Sequence, residues 1–381
     1  MRAWAILMML QGHFVDGLLD TAFRDNSSLT FNLWKYFRGI TAPVFFTVSG
    51  FIFTYLLVRG EKTGLKNPRV KKGVKRGLEL LFIGYLLRIN LLGILKGEIY
   101  SSFYLVDVLH CIGLSLLGII GIYLLTRNLK KFWFSLTLVS ATAILFLFEP
   151  LYKNVGYTIL PEAFANYLTK ANGSVFTIVP WFGYAAFGGF LSVLFTKFKN
   201  YRYLYPIGIT SASVLGLLLI FFSSDFFLAL SGLTGIQLFA DIFFNNYLFI
   251  RLGDVLVVFA VFMLLRGLLK NKTVLKIGQS TLSIYVIHFI MLYGSFTGLG
   301  LYGFFHHALS PVVAVIGAVA FIIICTYAAL KYEKYKATIK MNINSGFKYI
   351  AVKTEYFLLQ FLHFIKITFT RLLRLFGLVK N

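Results

Sequence analysis

Charge is scarce in this chain: 13% of its 381 residues are Asp, Glu, Lys or Arg, and only 14 are acidic. Beside 58% hydrophobic and 18% aromatic residues, that shortage excludes an ordinary water-soluble domain. Cysteine is nearly absent as well. Cys111 and Cys325 are the only two, and their expected places on different spans near opposite membrane faces argue against a disulfide. No glycine-rich phosphate loop, zinc-ligand spacing or nucleophile elbow occurs, so those chemistries have no support in the sequence. The adjacent His306 and His307 make no metal site by themselves, and no metal is expected. Prolines number seven. Pro43, Pro180, Pro206 and Pro311 fall near expected span starts, where a missing N–H costs least.

What the chain does have is long apolar runs. Segments of ~20 apolar residues mark membrane-spanning helices. Ten can be placed, at about 3–20, 40–58, 77–95, 104–126, 132–149, 176–196, 206–223, 249–268, 280–302 and 309–330. The expected fold class is an all-α polytopic membrane protein of about ten transmembrane helices. Met1-Arg2 leads straight into the first run without a small-residue cleavage pattern, which reads as a retained first span. A net charge of +23 would suit nucleic acid on a soluble protein. Here much of the excess lies in short loops, so membrane lipid is the expected partner and nucleic acid is not.

Loop 59–76 carries Arg59, Lys62, Lys66, Arg69, Lys71, Lys72, Lys75 and Arg76, and later loops on the same side add Arg127, Lys197 and Lys270. The alternate loops are poorer in cations, and 224–248 has none. By the positive-inside rule the protein is N-in and C-in. Loops 150–175 and 224–248 are long enough to shape an extracytoplasmic mouth. Residues 1–331 form the expected membrane domain and 332–381 a basic cytoplasmic tail. In that tail Gln360, His363, Lys366, Thr370, Arg371 and Arg374 share one helical face, as an amphipathic helix on the inner leaflet requires; an eleventh span is the alternative.

Ionisable groups at membrane depth are expensive and therefore candidates for function. His13 lies in the first span with Asp16 three residues on and Arg2 eleven residues back, all on one face and with Arg2 roughly 16 Å away along the helix. Arg88 stands near the outer end of span 3. Asp107 and His110 open span 4, Arg251 and Asp254 begin span 8, His288 sits near mid-depth in span 9, and Glu149 closes span 5. Each has a plainer reading. Arg88 can snorkel, Asp107 and His110 can lie at headgroup level, Arg251 with Asp254 reads as a structural pair, and His288 can simply bond a neighbouring helix.

Arg2 and His13 with ten residues between them resemble the R-x10-H element of the acyltransferase-3 membrane family. The wider pattern is similar to the heparan-alpha-glucosaminide N-acetyltransferase-like family in four places. These are the opening run to His13, Pro43-Val44-Phe45-Phe46-Thr47-Val48-Ser49-Gly50-Phe51, Asp107-Val108-Leu109-His110-Cys111-Ile112-Gly113-Leu114, and the run from Ile277 to His288. Relatives carry an acidic residue a few positions ahead of the arginine; here only Met1 precedes it.

The resemblance implies transfer of an acetyl or other acyl group from cytoplasmic acyl-CoA, as donor substrate, to an extracytoplasmic hydroxyl or amine. His13 would be the catalytic histidine and Arg2 the motif arginine. Imidazole can serve as base or acyl carrier. Asp16 is expected to orient it, with Arg88, Asp107, His110 and His288 in support. Arg2, Arg69, Lys71, Lys72, Lys75 and Arg76 are the expected holders of CoA phosphates. The expected acceptor is a glycan or glycolipid, the expected location the bacterial inner (cytoplasmic) membrane, and homo-oligomerisation is left open. The alternative is a proton-coupled transporter or a lipid or glycan flippase, which would call for inverted repeats with interrupted helices; no clear internal repeat is found.

Overall fold

The computed structural model describes residues 1–60 and 62–375, with side chains through residue 342 and at Ser345, Lys353 and Gln360. The side chains of His363, Lys366, Thr370, Arg371 and Arg374 lie outside the described residues. The described chain is helical, and its β pairing is confined to two isolated bridges. The principal helices are α1 (Arg2–Leu18), α2 (Leu29–Val58), α3 (Pro68–Arg88), α4 (Val108–Leu125), α5 (Lys131–Leu147) and α6 (Ile178–Phe198). There follow α7 (Leu204–Thr234), α8 (Tyr247–Leu264), α9 (Lys272–Gln279), α10 (Thr281–Tyr293) and α11 (Pro311–Leu375). Two compact units divide the chain, Met1–Tyr327 and Ala328–Asn381.

Among the described residues six helices are long and apolar enough to cross a membrane, and the pair α9–α10, bent by 68°, makes seven if counted as one span. α1 and α5 have 17 residues each, and α3 opens on a basic turn, so these three fall outside that count.

The helix ends follow from local chemistry. Ser28 caps α2 by accepting from the Phe31 N–H, and Asn67 caps α3 with Pro68 directly after it. α4 opens with a capping box: Asp107 accepts from the Leu109 N–H at 3.1 Å, while His110 Nδ1 accepts from the Asp107 N–H at 3.3 Å. α10 ends at Gly294, whose φ of +70° favours glycine, and a Cβ there would lie 2.2 Å from the Gly300 nitrogen.

Two expected spans were drawn too short. The second helix begins at Leu29, not near 40, because Ser28 supplies a cap that hydropathy alone does not show. The seventh continues to Thr234, and most of 224–248 is helical, with a further short helix at Gln237–Phe244, where a loop was expected. Pro43 consequently stands inside α2 rather than near its start. Its missing N–H leaves the Gly39 carbonyl without the usual helical donor, and the Tyr247 hydroxyl donates there at 3.4 Å.

The frame of the first unit is the α2–α6 pair, its most extensive helix contact. Gly50 and Gly188 make it so. A Cβ on Gly50 would sit 1.9 Å from the Ala185 carbonyl oxygen, and one on Gly188 1.9 Å from that of Thr47, so the two backbones touch. α4 and α5 pack on α6, α3 on α4, and α8 joins α7 to α2. Two short stitches then align the helix ends around α1. The Leu19–Leu309 bridge ties the end of α1 to the start of α11, and the Asn90–Phe296 bridge ties the end of α3 to the turn after α10.

Candidate active site

These stitches bring the last residue of α10 against the later turns of α1. The Tyr293 hydroxyl lies 3.0 Å from His13 Nδ1, with the two rings edge to face. The His288 ring is one turn below, its centroid 5.5 Å from that of His13. His288 is fully buried; its Nδ1 meets the Tyr285 carbonyl, and its Nε2 has no hydrogen-bond partner among the described residues. His13 itself lines a cavity of about 270 Å³ walled by α1, α2, α4, α6 and the segment before α6. Its Nε2 has no protein partner among the described residues.

Asp16 does not orient His13. Its carboxylate pairs with Arg38 of α2 and lies 3.9 Å from Arg24, whose guanidinium also donates to the Asp16 carbonyl. The reason is simple competition: two guanidiniums outbid a neutral imidazole for one carboxylate. Arg38 fits because Gly12 faces it. A Cβ on Gly12 would approach the Arg38 Cγ to 3.3 Å. Trp34, one turn earlier, places its ring 5.8 Å from the guanidinium and donates its indole N–H to Gln11 at 2.9 Å.

Arg88, Asp107 and His110 form a second group beside this one. Arg88 Nε is 3.3 Å from Asp107 Oδ2, and His110 Nδ1 is 3.2 Å from Asp107 Oδ1. The Arg88 guanidinium also stands 5.9 Å from the Phe289 ring, next to His288. His110 is fully buried against Gly84 and 4.4 Å, centroid to centroid, from Tyr85. The geometry gives Asp107 and His110 a capping and packing duty on α4, and the residue of this helix that lines the cavity is Val108.

Arg251 and Asp254 pair at 2.8 Å, and Tyr36 donates to Asp254 at 2.5 Å while the guanidinium stacks on Tyr36. This cluster locks the early turns of α2 to α8. Glu149 pairs with Lys153 at 3.4 Å.

At the far end of α1, Arg2 donates to the Thr281 hydroxyl where α9 breaks into α10, and its Nε is buried with no hydrogen-bond partner among the described residues. Arg76 pairs with Glu79 at 3.6 Å and lies close enough for its charge to act on Arg2. Arg69, Lys71, Lys72 and Lys75 are exposed on α3. Cys111 and Cys325 are both buried and free. Among the described residues no cluster of His, Cys, Asp and Glu could hold a metal ion.

Residues 1–330 match a family described as an acyltransferase domain. The chain belongs to this acyltransferase-3 family. No curated protein and no solved structure matches it. In this membrane acyltransferase Arg2 and His13 stand at two places on one helix, His13 on the cavity wall and Arg2 against the start of α10. Three neighbours of His13 escaped the sequence reading. Tyr293 falls inside the expected span 280–302, where nothing in the pattern singles it out. Arg38 lay outside a span thought to begin near 40, although its spacing from Trp34 at i,i+4 was visible. Lys170, on the cavity wall, lay in a loop with no pattern to single it out.

Proposed function

We propose that this acyltransferase moves an acetyl or other acyl group from cytoplasmic acyl-CoA to a hydroxyl or amine of an extracytoplasmic glycan or glycolipid. The observation that carries the proposal is His13, standing on a cavity wall with Nδ1 held by Tyr293 and Nε2 without a protein partner. For Nε2 to act as base, Nδ1 must carry the hydrogen and donate it to the Tyr293 oxygen, which then sets the tautomer. Nε2 takes the acceptor's O–H proton as the acceptor oxygen bonds to the thioester carbonyl. The C–S bond breaks, and the imidazolium returns its proton to the departing CoA sulfur. As acyl carrier, Nε2 would instead attack the thioester carbonyl and expel CoA as the thiolate; the acceptor oxygen would then take the acyl group, freeing Nε2 and giving up its proton to that thiolate. Arg38, on the same wall, is placed to stabilise the oxyanion of the tetrahedral intermediate. Asp16 acts through Arg38, and Arg88, Asp107, His110 and His288 support the shape and field around His13.

In this reading ten helices, α1–α8, the bent α9–α10 pair and the first part of α11, span a bacterial inner membrane with the N-terminus inside. Arg2 then marks the cytoplasmic end of α1, where its guanidinium and that of Arg76 suit CoA phosphates, with Arg69, Lys71, Lys72 and Lys75 nearby on α3. The similarity of four segments to the heparan-alpha-glucosaminide N-acetyltransferase-like family supports acetyl as the group moved. Purified full-length protein with labelled acetyl-CoA and membrane glycans tests the proposal; unchanged transfer in His13→Ala refutes the role of His13. Intact mass after acetyl-CoA alone separates the two routes, since only the carrier route leaves a His13-dependent acetyl adduct. A flippase would also use a bent helix pair such as α9–α10. Substrate flux in sealed vesicles without any acyl donor would put that reading in place of acyl transfer.

A further inference from the structure

The cavity beside His13 has a one-sided chemistry. Its charged wall residues are Arg38 and Lys170, and no carboxylate lines it. Lys170 is exposed and has no carboxylate partner among the described residues. Arg38 has one in Asp16, but that carboxylate is shared with Arg24. Two cations thus stand on the wall, and the one carboxylate that reaches either of them is shared with a third cation, Arg24, off the wall. The remaining polar walls do not restore the balance: the Thr41 hydroxyl donates to the Phe37 carbonyl and the Tyr247 hydroxyl to that of Gly39, both at 3.4 Å. The rest is apolar and aromatic. Phe46, Phe176 and Trp181 pack against one another, Phe176 and Trp181 edge to face with ring centroids 4.9 Å apart. A cleft lined by one sign of charge within low-dielectric walls concentrates ions of the other sign.

Size narrows the occupant. A cavity of about 270 Å³ falls just below the range that holds drug-sized ligands, roughly 300–1,000 Å³, and suits one sugar-sized ring rather than a whole CoA. We propose that the acceptor of this acyltransferase is anionic, a ring bearing a phosphate or carboxylate that Lys170 and Arg38 bind while its hydroxyl or amine meets His13. Aromatic walls receive the ring, and the two cations fix which of its groups faces the imidazole. The inference rests on the reading of His13 as the reacting centre, and it makes Lys170 a specificity-determining residue.

The test needs neither the donor nor the true acceptor. Iodoacetate and iodoacetamide both alkylate imidazole, and they differ in charge. Alkylation of His13 in the purified full chain is followed by peptide mass, with exposed His306 as internal reference. At low salt we expect iodoacetate to modify His13 at least about tenfold faster than iodoacetamide, relative to the same ratio at His306, as such charge focusing produces. That preference should disappear in Lys170→Gln, invert in Lys170→Glu and fade in molar salt. Protection by inorganic phosphate assigns the anion as a phosphate; protection by glucuronate but not phosphate assigns it as a carboxylate. A ratio at His13 no greater than at His306, or one unchanged in Lys170→Gln, overturns the proposal. So does protection by neutral methyl glucoside with neither anion effective, and so does the absence of any reaction at His13 while His306 reacts. Because no acyl donor is present, these outcomes stand apart from success or failure of the transfer assay.

Discussion

Replacing Tyr293 by Phe removes one oxygen and leaves the ring that packs on Phe289 and Tyr302, with centroids 4.9 and 5.7 Å away. The lost contact is the 3.0 Å hydrogen bond to His13 Nδ1. A hydrogen bond of this kind contributes about 0.5–1.5 kcal/mol net, and a buried partner left unsatisfied costs about 1–3 kcal/mol. Each 1.36 kcal/mol is about tenfold in rate. If that energy holds His13 in the tautomer the reaction uses, kcat should fall about 10- to 100-fold while KM for acyl-CoA stays put. Removing His13 itself should cost more, since positioned acid–base catalysis alone is worth about 10²–10⁴-fold. Asp16→Asn is the discriminating companion. Its carboxylate reaches Arg38 and Arg24 rather than the imidazole, so it should lower kcat by less than Tyr293→Phe does. The assay is steady-state transfer of labelled acetyl groups with both substrates varied, across a pH series. Displacement of the pH profile in Tyr293→Phe, rather than uniform scaling, marks an effect on His13 and not on folding. Full activity in Tyr293→Phe, or a loss in Asp16→Asn as deep as in His13→Ala, would refute the assignment.

Other expectations follow from single contacts. Gly188→Ala places a Cβ 1.9 Å from the Thr47 carbonyl oxygen, and backbone cannot yield as a side chain can. Overpacking of about 3 kcal/mol or more should leave little folded protein by size-exclusion chromatography in detergent. Gly84→Ala drives a Cβ to 2.6 Å from a fully buried His110 ring and should lower stability by about 1–3 kcal/mol in thermal unfolding. Arg88→Ala strands Asp107, whose side chain is 9% exposed, and breaking such a buried pair costs about 3–5 kcal/mol; Asp107→Asn in the same background should recover part of it. Arg2→Lys exchanges a planar fork for a point charge beside Thr281. It should raise KM for acyl-CoA while leaving kcat at saturation nearly unchanged, which initial-rate kinetics would show.

Helices were legible because their signal is spread over many residues. Every expected span coincides in its middle with a helix, since apolar runs of that length admit few other structures. Ends were not, because they turn on single groups. Ser28 extends α2 by eleven residues beyond the expected start, and those turns carry Trp34, Tyr36 and Arg38. His13 stood out because an imidazole in an apolar helix is costly wherever it points. Its partner did not, because three-residue spacing says only that Asp16 shares a face with His13. Whether that carboxylate turns to the imidazole or to a neighbouring helix depends on what the neighbouring helix brings, and Arg38 comes from another part of the chain. Tyr293 depended on longer-range information still, the bridge that docks the turn after α10 on α3. The basic run at 59–76 shows the same limit. Its charge density is plain in the sequence, but the pattern does not say that Arg76 is the cation whose charge acts on Arg2.

Asp16 shows why a carboxylate can matter to a histidine it does not touch. Without it, Arg24 and Arg38 would repel each other across the end of α1, and Arg38 would have no fixed place on the cavity wall. With it, one guanidinium is held at the wall beside His13, while the pair of arginines keeps the surroundings positive even though one charge is neutralised. A carboxylate bonded directly to His13 would undo this, because its negative charge would then face the acceptor and lower the local concentration of any anion. The neutral Tyr293 hydroxyl orients the imidazole without that penalty. An acceptor bearing negative charge thus accounts for both arrangements together, the tyrosine in place of an acid at Nδ1 and the acid one turn away on an arginine.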